Sequence, residues 1–278
     1  MSEASSRLAG EPAREGAGPL GGSRADAPAQ RPVALVTGAA RRLGRTIATR
    51  LAQDGWDLAV HYRGSHDDAE QLCAQLRASG ARAQGFRAEL GDEAAAVELV
   101  PRVARELGRV DALVNNASLF EYDAVADFGA EAALRHYRIN AVAPVLLARA
   151  LHAELQRRDT RGCVVNLLDQ KLWNPNPDHL SYTLSKAALR EANTLLAQAL
   201  APTLRVVAVA PGMTLGSEMI DEARLRELQA AGPLGRGPSA DDVADAVLFA
   251  LRNPGLSGCE LLVDAGQHLQ PRSRDFAF

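Results

Sequence analysis

The chain has 278 residues, 47% apolar and 23% charged. That is material for one large packed core, since single cores stop growing near roughly 250–300 residues. Its 31 basic and 34 acidic side chains leave a net charge of −3, which excludes the broad basic footprint of a nucleic-acid-binding protein and gives no electrostatic draw to a membrane surface. No apolar run approaches the roughly 20 residues that span a bilayer. Cys73, Cys163 and Cys259 are too few and too far apart for a disulfide framework or a zinc site. A soluble protein of a reducing, cytoplasmic compartment without a metal site is expected.

Residues 1–31 read as a disordered tail. Gly16-Ala17-Gly18-Pro19-Leu20-Gly21-Gly22 cannot bury enough apolar area to offset its ordering entropy, and no apolar run marks a secretory signal. From Pro32 onward, strand-length apolar runs alternate with helix-length periodic segments. Val33–Val36 is a strand, 43–54 a helix ending near Gly55, Leu58–Val60 a strand, and 66–79 a helix closed by Gly80. A weaker strand at 82–88 precedes a helix over 92–107. Val110–Val114 is the fourth strand, followed by one long helix over about 130–158. Strands at 163–167, 205–209 and 261–263 alternate with helices over 180–200, 217–230 and 240–251. Strict alternation implies a single-domain α/β fold over 32–270, a doubly wound parallel sheet of about seven strands with helices on both faces. Residues 271–278 form a C-terminal tail.

The first strand runs into Thr37-Gly38-Ala39-Ala40-Arg41-Arg42-Leu43-Gly44 and then a helix, the place where such sheets hold a pyrophosphate against backbone N–H groups. Gly38 permits a tight turn and Gly44 a close helix–strand approach; a purely structural turn is the alternative. Folds that prefer NAD place a carboxylate after the second strand. This chain has His61-Tyr62-Arg63-Gly64-Ser65, and Arg63, Ser65 and Arg42 suit a 2′-phosphate through charge-assisted hydrogen bonds. NADPH is therefore the expected cofactor, unless Arg63 is an ordinary solvated charge.

Tyr182 and Lys186 lie four residues apart on one helix face. Lys171 and Lys186 are the only lysines in the chain. An ammonium beside a phenol favours the phenolate and is expected to lower the Tyr182 pKa. An isolated Tyr-x-x-x-Lys is by default an exposed pair. Here Asn115-Asn116-Ala117, Asn140 and Pro211-Gly212 also fall at strand ends or on adjoining helices, the ligand-binding edge of these sheets.

Thr37–Gly44, Asn115–Ala117, Asn140, Tyr182–Lys186 and Pro211-Gly212 together resemble the ordered motif set of the short-chain dehydrogenase/reductase family, over about 32–270, and so imply its Rossmann-type fold. The resemblance implies Tyr182 as proton donor, Lys186 as its pKa modulator and ribose ligand, and Asn140 as support for the proton relay. It implies cofactor contacts from Gly38, Arg41, Arg42, Leu43 and Gly44, from His61, Tyr62, Arg63 and Ser65, and from Glu89 and Leu90. Further contacts would come from Asn116, Ala117 and Ser118, from Tyr182 and Lys186, and from Pro211, Gly212 and Met213. It also implies a homotetramer built on the 130–158 and 180–200 helices, with residues 272–278 either reaching a neighbouring subunit or frayed.

Departures narrow the substrate. The serine usual thirteen residues before the tyrosine is Asp169, which cannot donate a hydrogen bond unless protonated and suits a substrate with a basic ring nitrogen. A solvent-facing Asp169 in an impaired enzyme is the alternative. Arg42 stands where most members have glycine, and Ser118-Leu119-Phe120 follows Ala117. With His61-Tyr62-Arg63, this resembles the pteridine reductase branch, which includes dihydromonapterin and alternative dihydrofolate reductases. That likeness implies Phe120 stacking on a pterin, with Ser118 and Arg42 beside the pterin or the phosphates; plain packing is the alternative for Phe120. Glu89 replaces the usual aspartate and Ala265 a glycine, while Trp173 is either a pocket wall or part of a surface lid. Met213 to about Gly237 resembles the family's substrate lid. The expected activity is NADPH-dependent reduction of a pterin or folate-like C=N bond. A carbonyl reductase and a non-catalytic NADPH sensor are the alternatives.

Overall fold

The computed structural model describes residues 30–216 and 220–276. The tail expected over 1–31 therefore lies almost wholly outside the described residues, as do the first residues of the helix expected at 217 and the last two of the C-terminal segment. From Arg31 onward the chain forms one compact unit.

Seven parallel strands make one sheet in the order β3-β2-β1-β4-β5-β6-β7. They are β1 (Val33–Val36), β2 (Asp57–Tyr62), β3 (Ala83–Arg87), β4 (Ala112–Asn115), β5 (Gly162–Leu167), β6 (Leu204–Pro211) and β7 (Glu260–Val263). β1, β2 and β4 are buried along their whole length, which is why they read as continuous apolar runs rather than alternating ones. Helices α1 (Arg42–Gln53), α2 (His66–Ala78) and α8 (Ala240–Arg252) pack on one face with Ile47, Leu51, Leu72 and Val247. Helices α3 (Glu93–Leu107) and α5 (Ala143–Arg157) cover the other with Leu99, Val103, Leu147 and Leu151. The strand order reverses between β1 and β4, and the crevice at such a switch point is where open α/β sheets bind ligands.

Local chemistry sets the helix ends. Asp92 caps α3 by accepting the Ala94 and Ala95 N–H groups at 2.8 and 3.2 Å, and Gly108 closes it in the left-handed region at φ +85°. Ser239 and Asp242 form a capping box on α8.

The single helix expected over 130–158 is instead α4 (Ala130–Tyr137), a π-helical turn (Arg138–Val142) and α5. The break coincides with Pro144 in the first turn of α5, which has no N–H for the Asn140 carbonyl, and with the Asn140 side chain bonding to the loop after β4. After β5 the chain makes a short 3₁₀ turn (Gln170–Trp173), then α6 (Leu180–Ala199), α7 (Glu222–Ala230) and a 3₁₀ turn at Gln267–Leu269.

Candidate active site

The loop between β1 and α1 is held before any ligand enters. Asn116 donates its side-chain N–H groups to the carbonyls of Thr37 (2.8 Å) and Gly38 (3.2 Å), and Thr37 Oγ1 accepts the N–H groups of Asn116 and Ala117 at 2.9 and 3.0 Å. A Cβ on Gly44 would fall 2.3 Å from the Gly38 carbonyl oxygen, so the cradle requires glycine there. Gly38 sits at φ +61° and Arg42 at φ +52°. Arg42 thus occupies a backbone conformation that favours glycine, and so does Ala265 at φ +53°. The two departures from family glycines keep the glycine conformation. Arg42 donates to the Gly216 carbonyl oxygen at 2.6 Å, tying the phosphate loop to the loop after β6.

Residues of this loop line a groove of about 410 Å³ with His61, Arg63, Glu89, Leu90, Asn116, Ala117 and Ser118. Among the described residues no side chain caps the N-terminus of α1, which leaves a helix end suited to an anion. His61 is 2% exposed, and burial takes its pKa down to about 4, partly offset by the hydrogen bond to Ala88. The neutral ring therefore accepts the Gly38 N–H at Nδ1 (3.0 Å) and donates from Nε2 to the Ala88 carbonyl (3.2 Å). It braces the loop from behind. Arg63 stands at the mouth with only a loose 3.9 Å pairing to Glu89, while Arg41 is paired with Asp68. Backbone cradle, uncapped helix end and arginine mouth together fit a dinucleotide carrying an extra phosphate.

Two expected groove residues are not brought there. Side chains alternate along a strand, so when His61 faces the groove, Tyr62 faces the α2 side; its ring packs in the core and its hydroxyl meets His66 Nδ1 at 2.8 Å. Ser65 lies beyond the Gly64 turn as the residue preceding α2 and does not line the groove.

A second cavity of about 340 Å³ continues from the first, sharing Arg42, Leu43, Asn116 and Ser118. Its inner wall joins Asp169, at the end of β5, to Tyr182 and Lys186 on α6. Tyr182 donates its phenol proton to Asp169 Oδ2 at 2.7 Å, and Lys186 Nζ donates to the Leu167 carbonyl at 2.7 Å. Asp169 therefore faces the tyrosine and not the solvent. Burial pushes its carboxyl above the ordinary range, against the bonds from Lys171 N–H and Tyr182 that favour the charged form. Burial, with the Asp169 carboxylate beside it, likewise raises the Tyr182 phenol well above its ordinary value. This corrects the expectation that Lys186 would lower it. Lys186 is 3% exposed and is itself pushed down to about 8 by desolvation, partly offset by Asp169. Its ammonium is committed to Leu167 and lies 5.8 Å from the tyrosine ring centre. The site thus keeps a proton on Tyr182 and raises the proton affinity of its acceptor.

Asn140 is buried away from the cavity wall. It donates to the Leu119 carbonyl and Ser185 Oγ, both at 2.9 Å, and accepts the Leu119 N–H at 2.7 Å and the Ser118 hydroxyl at 3.2 Å. These bonds tie the loop that carries Ser118 and Phe120 to α6. Phe120, 52% exposed, stacks on His179 at 4.2 Å and meets Tyr182 edge-on at 4.7 Å. Trp173 does not wall the cavity. It packs against Leu168, Leu189 and Ala208, with the Arg190 guanidinium 4.3 Å from its ring centre, because the 3₁₀ turn directs it toward α6. Gly212 and Met213 do line the second cavity. A Cβ on Gly212 would strike Gln267 Oε1 at 2.4 Å.

The residues that motif spacing does not reveal are His179, Lys171, Asp275 and Phe276, all on the second cavity. His179 holds a left-handed φ of +52° just before α6, which its residue type and spacing do not announce.

The profile of the short chain dehydrogenase family matches residues 32–228. Two solved structures of FolM alternative dihydrofolate reductase 1 in complex with NADP are similar. The one from Brucella suis is 38% identical, with a TM-score of 0.82 over 87% of this chain and 96% of that one. The one from Brucella canis is 37% identical, with a TM-score of 0.80 over 86% and 95%. A granaticin polyketide synthase putative ketoacyl reductase 2 from Streptomyces violaceoruber is 35% identical over 88% of this chain and 98% of its own length. Fold, ordered motifs, the Tyr182–Lys186 geometry and these matches agree, and the chain belongs to the short-chain dehydrogenase/reductase family of oxidoreductases, with a resemblance to its pteridine reductase branch.

Proposed function

We propose that this protein is an NADPH-dependent reductase whose substrate is a reduced pterin or folate-like C=N compound. The observation that carries the proposal is the Asp169–Tyr182 hydrogen bond of 2.7 Å at the inner wall of the second cavity. A substrate nitrogen that gains an electron pair needs a proton, and Tyr182 holds one. Asp169 accepts from Tyr182, favours a basic ring over a bare alkoxide, and with its raised proton affinity takes part in resupply. NADPH, when bound, supplies the hydride. The cradle residues Gly38, Arg41, Leu43, Gly44, Asn116 and Ala117 would hold its phosphates and ribose, Arg42 and Arg63 its 2′-phosphate, and Lys186 the nicotinamide ribose. Leu90 and Glu89 would flank the adenine, and Pro211, Gly212 and Met213 the nicotinamide end. Ser118 and Phe120 would meet the substrate. The NADP complexes of the two similar structures support this choice of cofactor.

A carbonyl or ketoacyl reductase is the second reading, favoured by the ketoacyl reductase relative. NADPH oxidation by purified protein, with a dihydropterin beside a panel of small ketones and 3-oxoacyl thioesters, tests both. Turnover of the dihydropterin that disappears in Tyr182→Phe supports the first reading. Turnover of ketones alone rejects it.

The 32–270 segment would be the catalytic domain, acting in the cytoplasm; among the described residues no helix is long and apolar enough to cross a membrane. A homotetramer is supported by the large apolar side chains exposed on α4 and α6, Leu134, Tyr137, Leu184 and Leu195.

A further inference from the structure

Residues 272–276 do not trail into solvent. Arg274 donates to both carboxylate oxygens of Asp178 at 2.9 and 3.1 Å, and the Asp275 N–H donates to Asp178 at 2.7 Å. Asp178 is buried, and the Arg274 guanidinium holds its carboxyl below the usual carboxylate range. Lys171 is 4% exposed; its ammonium donates to the Asp178 carbonyl at 2.6 Å and to Asp275 Oδ2 at 3.2 Å. Phe276 then packs with Met213, Ile220, Leu225 and Leu228. A buried lysine and a buried aspartate are costly to desolvate, and both are here committed to one five-residue segment.

That segment ends at the substrate cavity. Asp275 and Phe276 line the same space as Asp169, Phe120 and Tyr182, and the Asp275 charge reaches the Tyr182 phenol and adds to its raised pKa. Lys171 spans the two acids, giving its backbone N–H to Asp169 Oδ1 at 2.8 Å and its ammonium to Asp275. The cavity therefore carries two carboxylates set about one lysine side chain apart.

We propose that the C-terminal strap is a substrate-binding element in which Asp275 accepts a hydrogen bond from the amino-bearing edge of the substrate ring and Phe276 closes the cavity over it. The proposal rests on the pterin reading given above. It makes Asp275 a specificity residue that no motif of the catalytic set includes, and it gives a role to the buried Lys171, one of only two lysines in the chain.

The test is calorimetric binding of a dihydropterin to the full-length protein saturated with NADP⁺, compared with Asp275→Asn and with a chain ending at Ser273. The strap does not line the first groove, where the adenine and phosphates would sit, so NADP⁺ affinity in Asp275→Asn should stay within about threefold, whereas dihydropterin affinity should fall by about tenfold or more, the worth of one hydrogen bond to a charged group. If the shortened chain loses NADP⁺ as well, removal of Phe276 has disturbed the Met213 side of the cavity and Asp275→Asn decides. Dihydropterin affinity unchanged in Asp275→Asn and in a folded shortened chain would overturn the strap proposal alone. A wild-type protein that binds no dihydropterin would overturn the pterin reading and the strap with it.

Discussion

Removing the Asp169 charge should be visible on Lys186 without any substrate. Burial takes Lys186 from 10.5 to about 8, with Asp169 the opposing influence that keeps the ammonium charged. That displacement corresponds to roughly 3 kcal/mol against the charged form, at about 1.4 kcal/mol per unit. Asp169 is the influence that raises the Lys186 pKa against burial, so Asp169→Asn should lower it further. The chain has only two lysines; protein labelled with ¹³C at lysine Cε therefore gives two resonances, assigned with Lys171→Arg and titrated from pH 6 to 11. Lys186 titrating near 10 in the wild-type protein would refute the desolvation argument. A Lys186 near 8 that does not move in Asp169→Asn would refute the coupling.

Gly44→Ala should destabilise the protein by about 1–3 kcal/mol, the usual cost of overpacking, because its Cβ meets the Gly38 carbonyl at 2.3 Å; urea unfolding and NADPH fluorescence check both consequences, and an unchanged NADPH affinity would contradict the cradle. His61 has a folded pKa of about 4 against an unfolded 6.5, so the folded state binds fewer protons between these values. Its contribution is complete above about pH 6.5 and lost as pH falls toward 4, in total roughly 3 kcal/mol, and His61→Gln should flatten that part of the stability–pH curve measured by urea midpoints. Arg63→Asp should lower the NADPH-to-NADH preference in kcat/KM by at least about tenfold, since a carboxylate there repels a 2′-phosphate; an equal loss with both cofactors would assign Arg63 no selective role.

The strands were legible because a parallel sheet covered on both faces leaves runs such as Val33–Val36 with no other explanation, and the glycines at Gly55, Gly80 and Gly108 mark where helices stop. The break at Arg138–Val142 is only partly legible: Pro144 marks an interruption inside the expected helix, whereas the tertiary bonds from Asn140 to Leu119 and Ser185 leave no local signal. Tyr62 shows another limit: motif proximity says that the end of β2 meets the groove, but only the strand's phase decides that His61 faces in while Tyr62 faces the core.

Spacing and residue type single out Tyr182, Lys186 and Asp169, which the structure brings to one cavity, but they do not give the direction of the Tyr182 shift. The lysine charge was visible in the sequence, whereas complete burial and the 2.7 Å carboxylate were not. Trp173 and the C-terminal strap fail for the same reason. Their partners, Arg190 for Trp173 and Asp178 with Lys171 for the strap, are fixed by how the turn after β5 folds.

Asp169 and Tyr182 acting together on a basic ring are the centre of the mechanism proposed for this site. The most direct measurement is the ratio of kcat/KM for a dihydropterin to that for a small ketone, in the wild-type protein and in Asp169→Ser. The serine restores a hydrogen-bond donor for a carbonyl and removes the acid, so the ratio should fall by about 100-fold or more, within the range of general acid–base contributions. A ratio that stays the same would show that Asp169 does not select the substrate and would contradict the mechanism proposed for this site.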